Sequence, residues 1–172
     1  ENLKKSFKTH LAVRGVSFEV PQGKVVGLLG PNGAGKTTSI KMLTTLLKPT
    51  SGEVFLNGHQ VSERPHETRR SIGIVFQDPS LDNELTAYEN MQFHAILYGL
   101  KKSVYQKRIK DLLTLVELWD RKDSYVKSFS GGMKRRLEIA RGLLHKPAVL
   151  FLDEPTIGLD PQTRNHIWNY IY

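Results

Sequence analysis

Cysteine is absent from this sequence of 172 residues, and no apolar run is long. Without cysteine the chain has no disulfide framework and no zinc or iron–sulfur site with cysteine ligands. The longest apolar stretches, such as residues 148–152, have about five residues, whereas a membrane-spanning helix needs about 20. The six histidines show no spacing typical of a transition-metal site. With 39% hydrophobic and 24% charged residues, the composition is that of a globular chain of one domain or slightly more.

The net charge of +8 is concentrated in one part of the chain. Residues 101–146 carry 13 basic and 5 acidic groups, whereas residues 147–172 carry 1 basic and 3 acidic groups. A basic segment can bind nucleic acid, anionic lipid or an anionic ligand. Because these basic residues alternate with apolar residues at helical spacing, we interpret them as a solvated helical face and expect no specific nucleic-acid binding.

Three zones of different texture predict an α/β core that a helical segment interrupts. Residues 1–78 alternate glycine turns with runs typical of strands, at 16–20, 25–29, 53–57 and 72–76. In residues 79–146, apolar side chains recur on one face of each of two helices, around positions 109–116 and 137–144. Residues 147–172 return to a strand at 148–152 and a helix with Asp160 as N-cap and Pro161 in its first turn. Since the chain begins at Glu1 and stops in this helix, we expect the core to continue beyond Tyr172.

An eight-residue motif follows the predicted strand at 25–29. It matches the phosphate-binding pattern G-x-x-x-x-G-K-[ST] and comprises Gly30, Pro31, Asn32, Gly33, Ala34, Gly35, Lys36 and Thr37. Glycines let backbone N–H groups turn inward around an anion, and the helix predicted from Thr38 adds a partial positive charge. Lys36 supplies a full charge for the β- and γ-phosphates, and Thr37 offers a hydroxyl to Mg²⁺. The alternative is a glycine-rich turn without a ligand, and the strand and helix on either side argue against it.

Two carboxylates end the apolar run at 148–152. A strand that is apolar at every position is buried on both faces of a parallel sheet, and α/β folds bind ligands at the carboxyl ends of such strands. Asp153 can therefore hold Mg²⁺, and Glu154 can polarise a water for attack on the γ-phosphate. Two solvated acids at a strand end are the alternative, which the upstream phosphate loop weakens.

The segment 128–133, S-F-S-G-G-M, resembles the signature motif of ABC ATPases, whose usual form is LSGGQ. Its Ser130 lies 94 residues after Lys36 and 23 before Asp153, as in that family. The runs 134–147 and 152–161 also resemble ABC nucleotide-binding domains, so the likeness covers the whole chain. It implies an α/β P-loop NTPase core with a parallel sheet, an N-terminal antiparallel β part and an inserted helical subdomain. We expect the β part and core at 1–78, the helical signature subdomain at 79–146, and an incomplete return to the core at 147–172.

The resemblance also implies which residues handle ATP and Mg²⁺. Phe7 matches the aromatic that stacks on adenine, and Gln77 matches the glutamine of the family's Q-loop. Glu154, Gln77 and Lys36 are the expected catalytic residues. Thr37, Gln77 and Asp153 are the expected Mg²⁺ ligands. Beyond the phosphate loop, the expected nucleotide contacts are Thr38, Ser130, Gly131, Gly132 and Asp160. Because the signature of one ABC domain closes on the ATP held by another, we expect a head-to-tail dimer with a second nucleotide-binding domain.

Within the family, segments 81–100 and 131–144 resemble the branch of drug, lipid and polysaccharide exporters. We therefore expect an ATPase subunit or domain at the cytoplasmic face of a membrane, which couples ATP hydrolysis to export through separate membrane-spanning segments. Met133 replaces the common glutamine, as it does elsewhere in this branch. A soluble ABC ATPase that acts on ribosomes or nucleic acid is the alternative. A cassette that only binds ATP is disfavoured by the intact Lys36 and Glu154.

One functional residue of the family is expected outside this sequence. The switch histidine should lie beyond Tyr172, since His166 is only 12 residues after Glu154 and falls in the predicted helix. We therefore expect the isolated segment to bind ATP weakly at best and to hydrolyse it slowly, with an apolar face left exposed.

Overall fold

The computed structural model describes residues 1–76, 80–153, 161, 164, 165 and 169. They fall into two compact units, Glu1–Ile72 and Gly73–Tyr172. Among these residues, no helix is long and apolar enough to span a bilayer.

The first unit begins with an antiparallel hairpin. β1 (Leu3–Phe7) and β2 (His10–Val16) pair from Phe7 opposite His10 to Leu3 opposite Val16. The chain continues through α1 (Lys36–Leu43), the two-residue strands β3 (Phe55–Leu56) and β4 (His59–Gln60), and α2 (Pro65–Ser71). α1 packs against β2, so the start of this helix and the loop before it are supported by the hairpin.

The second unit packs three helices around one apolar core. β5 (Ile72–Val75) begins at the unit boundary, followed by α3 (Ala87–Leu97), α4 (Lys102–Leu115), α5 (Gly131–Leu143) and β6 (Val149–Leu152). The helices contact one another and bury Met91 of α3, Leu113 of α4 and Leu137 of α5. The apolar spacing in the sequence therefore matches the buried helix faces.

A capping box determines where α3 begins. The Thr86 hydroxyl accepts a hydrogen bond from the Glu89 N–H (3.2 Å), and the Glu89 carboxylate accepts one from the Thr86 N–H (2.8 Å). These bonds satisfy two donors that the first helical turn leaves without intrahelical partners. The hydrogen bonds from Thr86 also lower the pKa of Glu89.

The two strands β5 and β6 end next to each other. β5 and β6 are neighbours in one sheet, and the Asp153 N–H donates to the Val75 carbonyl (2.9 Å), so their carboxyl ends lie side by side. α5 approaches this sheet closely through two glycines. A Cβ atom on Gly73 would lie 2.6 Å from the carbonyl oxygen of Gly142.

Several predicted elements are confirmed. The strands expected at 72–76 and 148–152 are β5 and β6, the helix after the phosphate loop is α1, and the two amphipathic helices are α4 and α5. The segment expected as a strand at 53–57 contains only the two residues of β3. Pro161 is helical as expected, whereas Asp160 lies outside the described residues. The three-part division at residues 78 and 146 remains a prediction.

Two predicted strands are wrong. Apart from Val16 at the end of β2, residues 16–20 and 25–29 pair with no strand of the three described sheets, and Leu29 is 97% exposed. A strand needs a neighbour to take its backbone hydrogen bonds, and the described residues provide none here. For a similar reason β6 is half-buried rather than buried on both faces, because β5 is its one strand neighbour within the described residues.

Candidate functional site

The phosphate loop of the first unit is shaped by glycines. Gly33 (φ 82°) and Gly35 (φ 86°) adopt left-handed conformations that favour glycine. Gly35 also lies against the hairpin, since a Cβ atom there would lie 2.5 Å from the Ala12 carbonyl oxygen. The loop can therefore turn tightly on β2 only with glycine at this position.

The lysine of the loop is held by the loop itself. Lys36 Nζ donates to the carbonyl oxygens of Gly30 (2.6 Å) and Pro31 (2.9 Å). Its ammonium group therefore lies over the loop 30–37, whose backbone N–H groups are expected to bind phosphate. A phosphate that enters the loop can take hydrogen bonds from Lys36 in place of these carbonyls.

The start of α1 suits an anion. Gly35, the N-cap of α1, has no side chain to cap the first N–H groups, and the first turn contains no acidic residue. These N–H groups and the helix dipole both favour a negative charge. The Thr37 side chain is exposed, and Thr38 is half-buried in the same turn.

Phe7 occupies the tip of β1 in the same unit. Its ring is 46% exposed, and Lys5 Nζ lies 5.2 Å from the ring centroid. An exposed aromatic ring can stack on a nucleotide base. The first unit therefore contains the predicted base-stacking residue as well as the phosphate loop.

In the second unit, the signature segment opens α5. The Ser130 hydroxyl accepts a hydrogen bond from the Met133 N–H (3.3 Å), which makes Ser130 the N-cap. Gly131 is exposed, and among the described residues no atom outside its own helix turn lies within 4 Å of the position where its Cβ would be. The first N–H groups of this 13-residue helix can attract a negatively charged ligand, and the binding role of the signature stays a prediction.

Asp153, the predicted Mg²⁺ ligand, follows β6 and is half-buried. Its backbone carbonyl accepts a hydrogen bond from Arg135 Nη2 (2.8 Å), and the Phe76 carbonyl at the end of β5 accepts one from Arg135 Nη1. Arg135 is only 5% exposed. One side chain of α5 thus binds the carboxyl ends of both strands.

Sequence reasoning missed Arg135 and its neighbour Glu138. Glu138 is 1% exposed and accepts hydrogen bonds from the backbone N–H (3.2 Å) and hydroxyl (3.0 Å) of Ser80. The one local signal is that Glu138 stands between two apolar residues, Leu137 and Ile139. A carboxylate that is buried among such residues needs a polar partner.

A small cavity lies next to this network. It has a volume of about 170 Å³ and is lined by Ile74, Phe76, Ser80, His94, Tyr98, Arg141, Gly142 and His145. The Tyr98 and His145 rings stack with centroids 3.8 Å apart. Burial lowers the pKa of His94 to about 3, with further contributions from Arg141 and His145. Burial raises the pKa of Tyr98.

The predicted site residues divide between the two units. Phe7, the phosphate loop and Thr38 belong to the first unit, whereas Ser130, Gly131, Gly132 and Asp153 belong to the second. Gln77, Glu154 and Asp160 lie outside the described residues, so their predicted roles stay predictions.

Known proteins resemble the chain over nearly its whole length. The sequence pattern of the family described as "ABC transporter" matches residues 13–157. The linearmycin resistance ATP-binding protein LnrL of Bacillus subtilis is 44% identical over 167 residues, which are 97% of this chain and 54% of that protein. The daunorubicin/doxorubicin resistance ATP-binding protein DrrA of Streptomyces peucetius is 44% identical over 160 residues, 93% of this chain and 48% of that protein. The chain thus spans about half the length of the curated relatives it matches.

Two solved structures have the same fold. An ATP-binding subunit of an ABC transporter matches with a TM-score of 0.92 and 33% identity, over 98% of this chain and 70% of that one. A dimeric ATP-binding cassette in a post-hydrolysis state, bound to ADP and Pi, matches with a TM-score of 0.88 and 30% identity, over 98% of this chain and 78% of that one.

Proposed function

Since the chain belongs to the ABC transporter family, we propose that it binds and hydrolyses ATP to drive export through separate membrane-spanning segments. The observation that carries this proposal is the loop 30–37, in which Lys36 lies over two loop carbonyls at the uncapped start of α1. This arrangement suits the β- and γ-phosphates of a nucleotide.

The chain's residues divide the work of hydrolysis. Lys36 and the loop N–H groups hold the phosphates, and Phe7 stacks on adenine. Glu154 takes a proton from the attacking water, which Gln77 helps to orient. Thr38 and Asp160 complete the nucleotide contacts.

The available donors fit Mg²⁺, which prefers oxygen ligands. Thr37 offers an exposed hydroxyl and Asp153 a half-buried carboxylate, and Gln77 is the third proposed ligand. When bound, Mg²⁺ neutralises the charge that develops on the phosphate oxygens.

The open start of α5 supports a head-to-tail dimer. Ser130, Gly131 and Gly132 offer a hydroxyl and N–H groups to the γ-phosphate of ATP held by a second nucleotide-binding domain. The solved cassette bound to ADP and Pi is itself dimeric. Dimer closure on ATP and opening after hydrolysis would then supply the stroke for transport.

An exposed apolar face of α3 supports the proposal that the chain binds a membrane-spanning partner. Phe93, Ile96 and Leu97 lie at i, i+3 and i+4 and are each at least 59% exposed. Three large apolar side chains on one exposed helix face favour burial against another protein. We propose that this α3 face docks on the transporter subunit or domain, at the cytoplasmic side of the membrane.

The basic segment gives little support to the alternative, a ribosome- or nucleic-acid-acting ATPase. Four of its arginines donate to backbone carbonyls within the second unit: Arg108, Arg135, Arg136 and Arg141. Lys127 forms an ion pair with Glu84 (2.9 Å). Many of these basic side chains therefore bind groups of the second unit itself. A role in export is better supported than a role on ribosomes or nucleic acid.

Substitution of Lys36 tests the ATP site in the full chain. We expect Lys36→Ala to weaken ATP binding at least tenfold, because the phosphates lose a cation whose charged hydrogen bonds are each worth roughly 1.5–3 kcal/mol. Lys41→Ala, which removes an exposed lysine from the same helix, is the matched control and should bind normally. Equal ATP affinities for the two variants would disprove the assignment of the loop.

Glu154→Gln separates binding from hydrolysis. The amide keeps the shape of the side chain but cannot accept a proton, so this variant should bind ATP and hold the dimer while turnover falls at least a hundredfold. Steady-state ATPase assays and size-exclusion chromatography with ATP measure the two effects. Normal turnover would assign the catalytic carboxylate to another residue.

A further inference from the structure

Three side chains of α5 hold the sequence that flanks Gln77. Arg135, Glu138 and Arg141 recur at three-residue spacing and point to the same neighbouring segment. Arg135 binds the carbonyl of Phe76, immediately before Gln77. Glu138 and Arg141 bind Ser80, three residues after Gln77. α5 therefore anchors Phe76 and Ser80, which flank Gln77 in the sequence.

The anchor at Ser80 uses both of its backbone groups. Its N–H donates to Glu138 Oε2 (3.2 Å), and its carbonyl accepts from Arg141 Nη1 (2.8 Å). Arg141 Nη2 also donates to Glu138 Oε1 (2.7 Å), which pairs the two charges. Because the carboxylate of Glu138 is buried, it needs these hydrogen-bond partners, and the bonds together hold Ser80 against α5.

The anchor at Phe76 also includes the end of β6. The same guanidinium donates through Nη1 to Phe76 and through Nη2 to Asp153, the residue that precedes Glu154. Arginine can bridge two carbonyls because its donors form a rigid planar fork, whereas lysine carries its donors on one flexible ammonium. A buried arginine costs free energy that an apolar side chain would avoid, so a geometric role is the better explanation of its presence.

We propose that Arg135 is a positioning residue for ATP hydrolysis, with Glu138 as its second anchor. Together they set the ends of β5 and β6 relative to α5, the helix that begins at the signature serine. The backbone of Phe76 and Asp153 thereby takes its position from α5, and Gln77 and Glu154 are the next residues of the sequence. This inference rests on the proposed function, since it assigns a role within ATP hydrolysis.

Arg135→Lys tests the proposal in the full chain assembled with its membrane partner. The variant keeps the positive charge but loses the fork, so we expect kcat to fall about tenfold or more, because small misplacements of reacting groups are costly. The ATP dissociation constant should stay within about twofold, since the phosphate loop is unchanged, and the Mg²⁺ concentration for half-maximal rate should rise. A purely structural role would lower the melting temperature without this split between kcat and binding.

Arg136→Lys is the matched control. Arg136 is the next residue of α5, and its Nη1 binds the Val116 carbonyl and Glu117, each at 3.2 Å. The same substitution there should leave kcat within about twofold of the unmodified protein, because it does not disturb the strand ends. Equal kcat values for the two lysine variants would overturn the proposal.

A second variant covers the case in which Arg135→Lys does not fold. Glu138→Gln keeps the shape of the side chain but removes the charge that pairs with Arg141, so kcat should fall while ATP affinity is retained. Unchanged kcat in Glu138→Gln would overturn the two-anchor proposal. If the unmodified protein itself neither binds nor hydrolyses ATP, the proposed function fails instead, so the two failures are distinguishable.

Discussion

Lys36 and Arg135 differ in how far their partners lie along the chain. Lys36 bonds to carbonyls five and six residues away, so both its partners lie within the motif that the sequence identifies. Arg135 bonds to a carbonyl 59 residues away, and Glu138 to a serine 58 residues away. No local pattern specifies such pairs, because only the packing of α5 on the β5–β6 sheet brings them together. The glycine-rich loop and the helix that follows it were therefore predictable from a local motif, and the strand-end network was not.

His94 gives a pH-dependent prediction at the residue scale. Its pKa is about 3 in the folded chain, against 6.5 ordinarily, chiefly because burial disfavours the charged ring. Between these values the unfolded chain binds more protons, so the free energy of unfolding decreases as pH falls from about 6.5, by at most about 1.4 kcal/mol per pH unit. His94→Gln removes this titration and should flatten the fall in melting temperature between about pH 7 and pH 5. Parallel pH curves for the two proteins would contradict the assignment.

Among the elements, helices were more predictable than strands. The period of apolar residues in α4 and α5 depends on the helix alone, because each helix satisfies its own backbone hydrogen bonds. Strands depend on neighbours that the local sequence does not name. The runs at 16–20 and 25–29 have the composition of strands, yet Phe18 and Val25 are exposed and outside the described sheets. β5 and β6 were predicted correctly, since in the structure each is the other's neighbour.

The contact between β5 and α5 yields a prediction about elements. In Gly73→Ala the new methyl carbon would lie 2.6 Å from the Gly142 carbonyl oxygen and 2.8 Å from Pro147 Cγ, so α5 must move away from the sheet. We expect a loss of about 1–3 kcal/mol in the free energy of unfolding, measured in urea. Gly131→Ala is the control, because the described part of the chain places no atom outside the same helix turn within 4 Å of the new carbon, and its stability should not decrease. Equal destabilisation by both substitutions would argue against the close contact.

For the whole molecule, the sequence specified least which particular apolar side chains are exposed. Leu29, Phe18 and Val25 belong to runs predicted as strands, and they are exposed in the first unit. Whether such a side chain is buried depends on surfaces contributed by other segments or other chains. In α3, by contrast, Phe93, Ile96 and Leu97 are exposed although Met91 and Ala95 of the same helix are fully buried. α3 is therefore apolar on two faces, of which the second unit covers one.

The outer face of α3 leads to the last prediction, on assembly with the membrane partner. Replacing both Phe93 and Leu97 with serine removes two side chains that are 59% and 66% exposed, so the fold of the second unit should change little. If this face docks on a membrane-spanning partner, the loss of buried apolar area should reduce co-purification with membranes at least tenfold, since each large side chain contributes about 1.5–3 kcal/mol when buried. ATP binding at the phosphate loop should be unaffected.

Val104→Ser, which replaces an exposed valine on α4, is the control and should leave membrane recovery unchanged. Equal membrane recovery of the double variant and the unmodified protein would mean that the α3 face is not the docking surface.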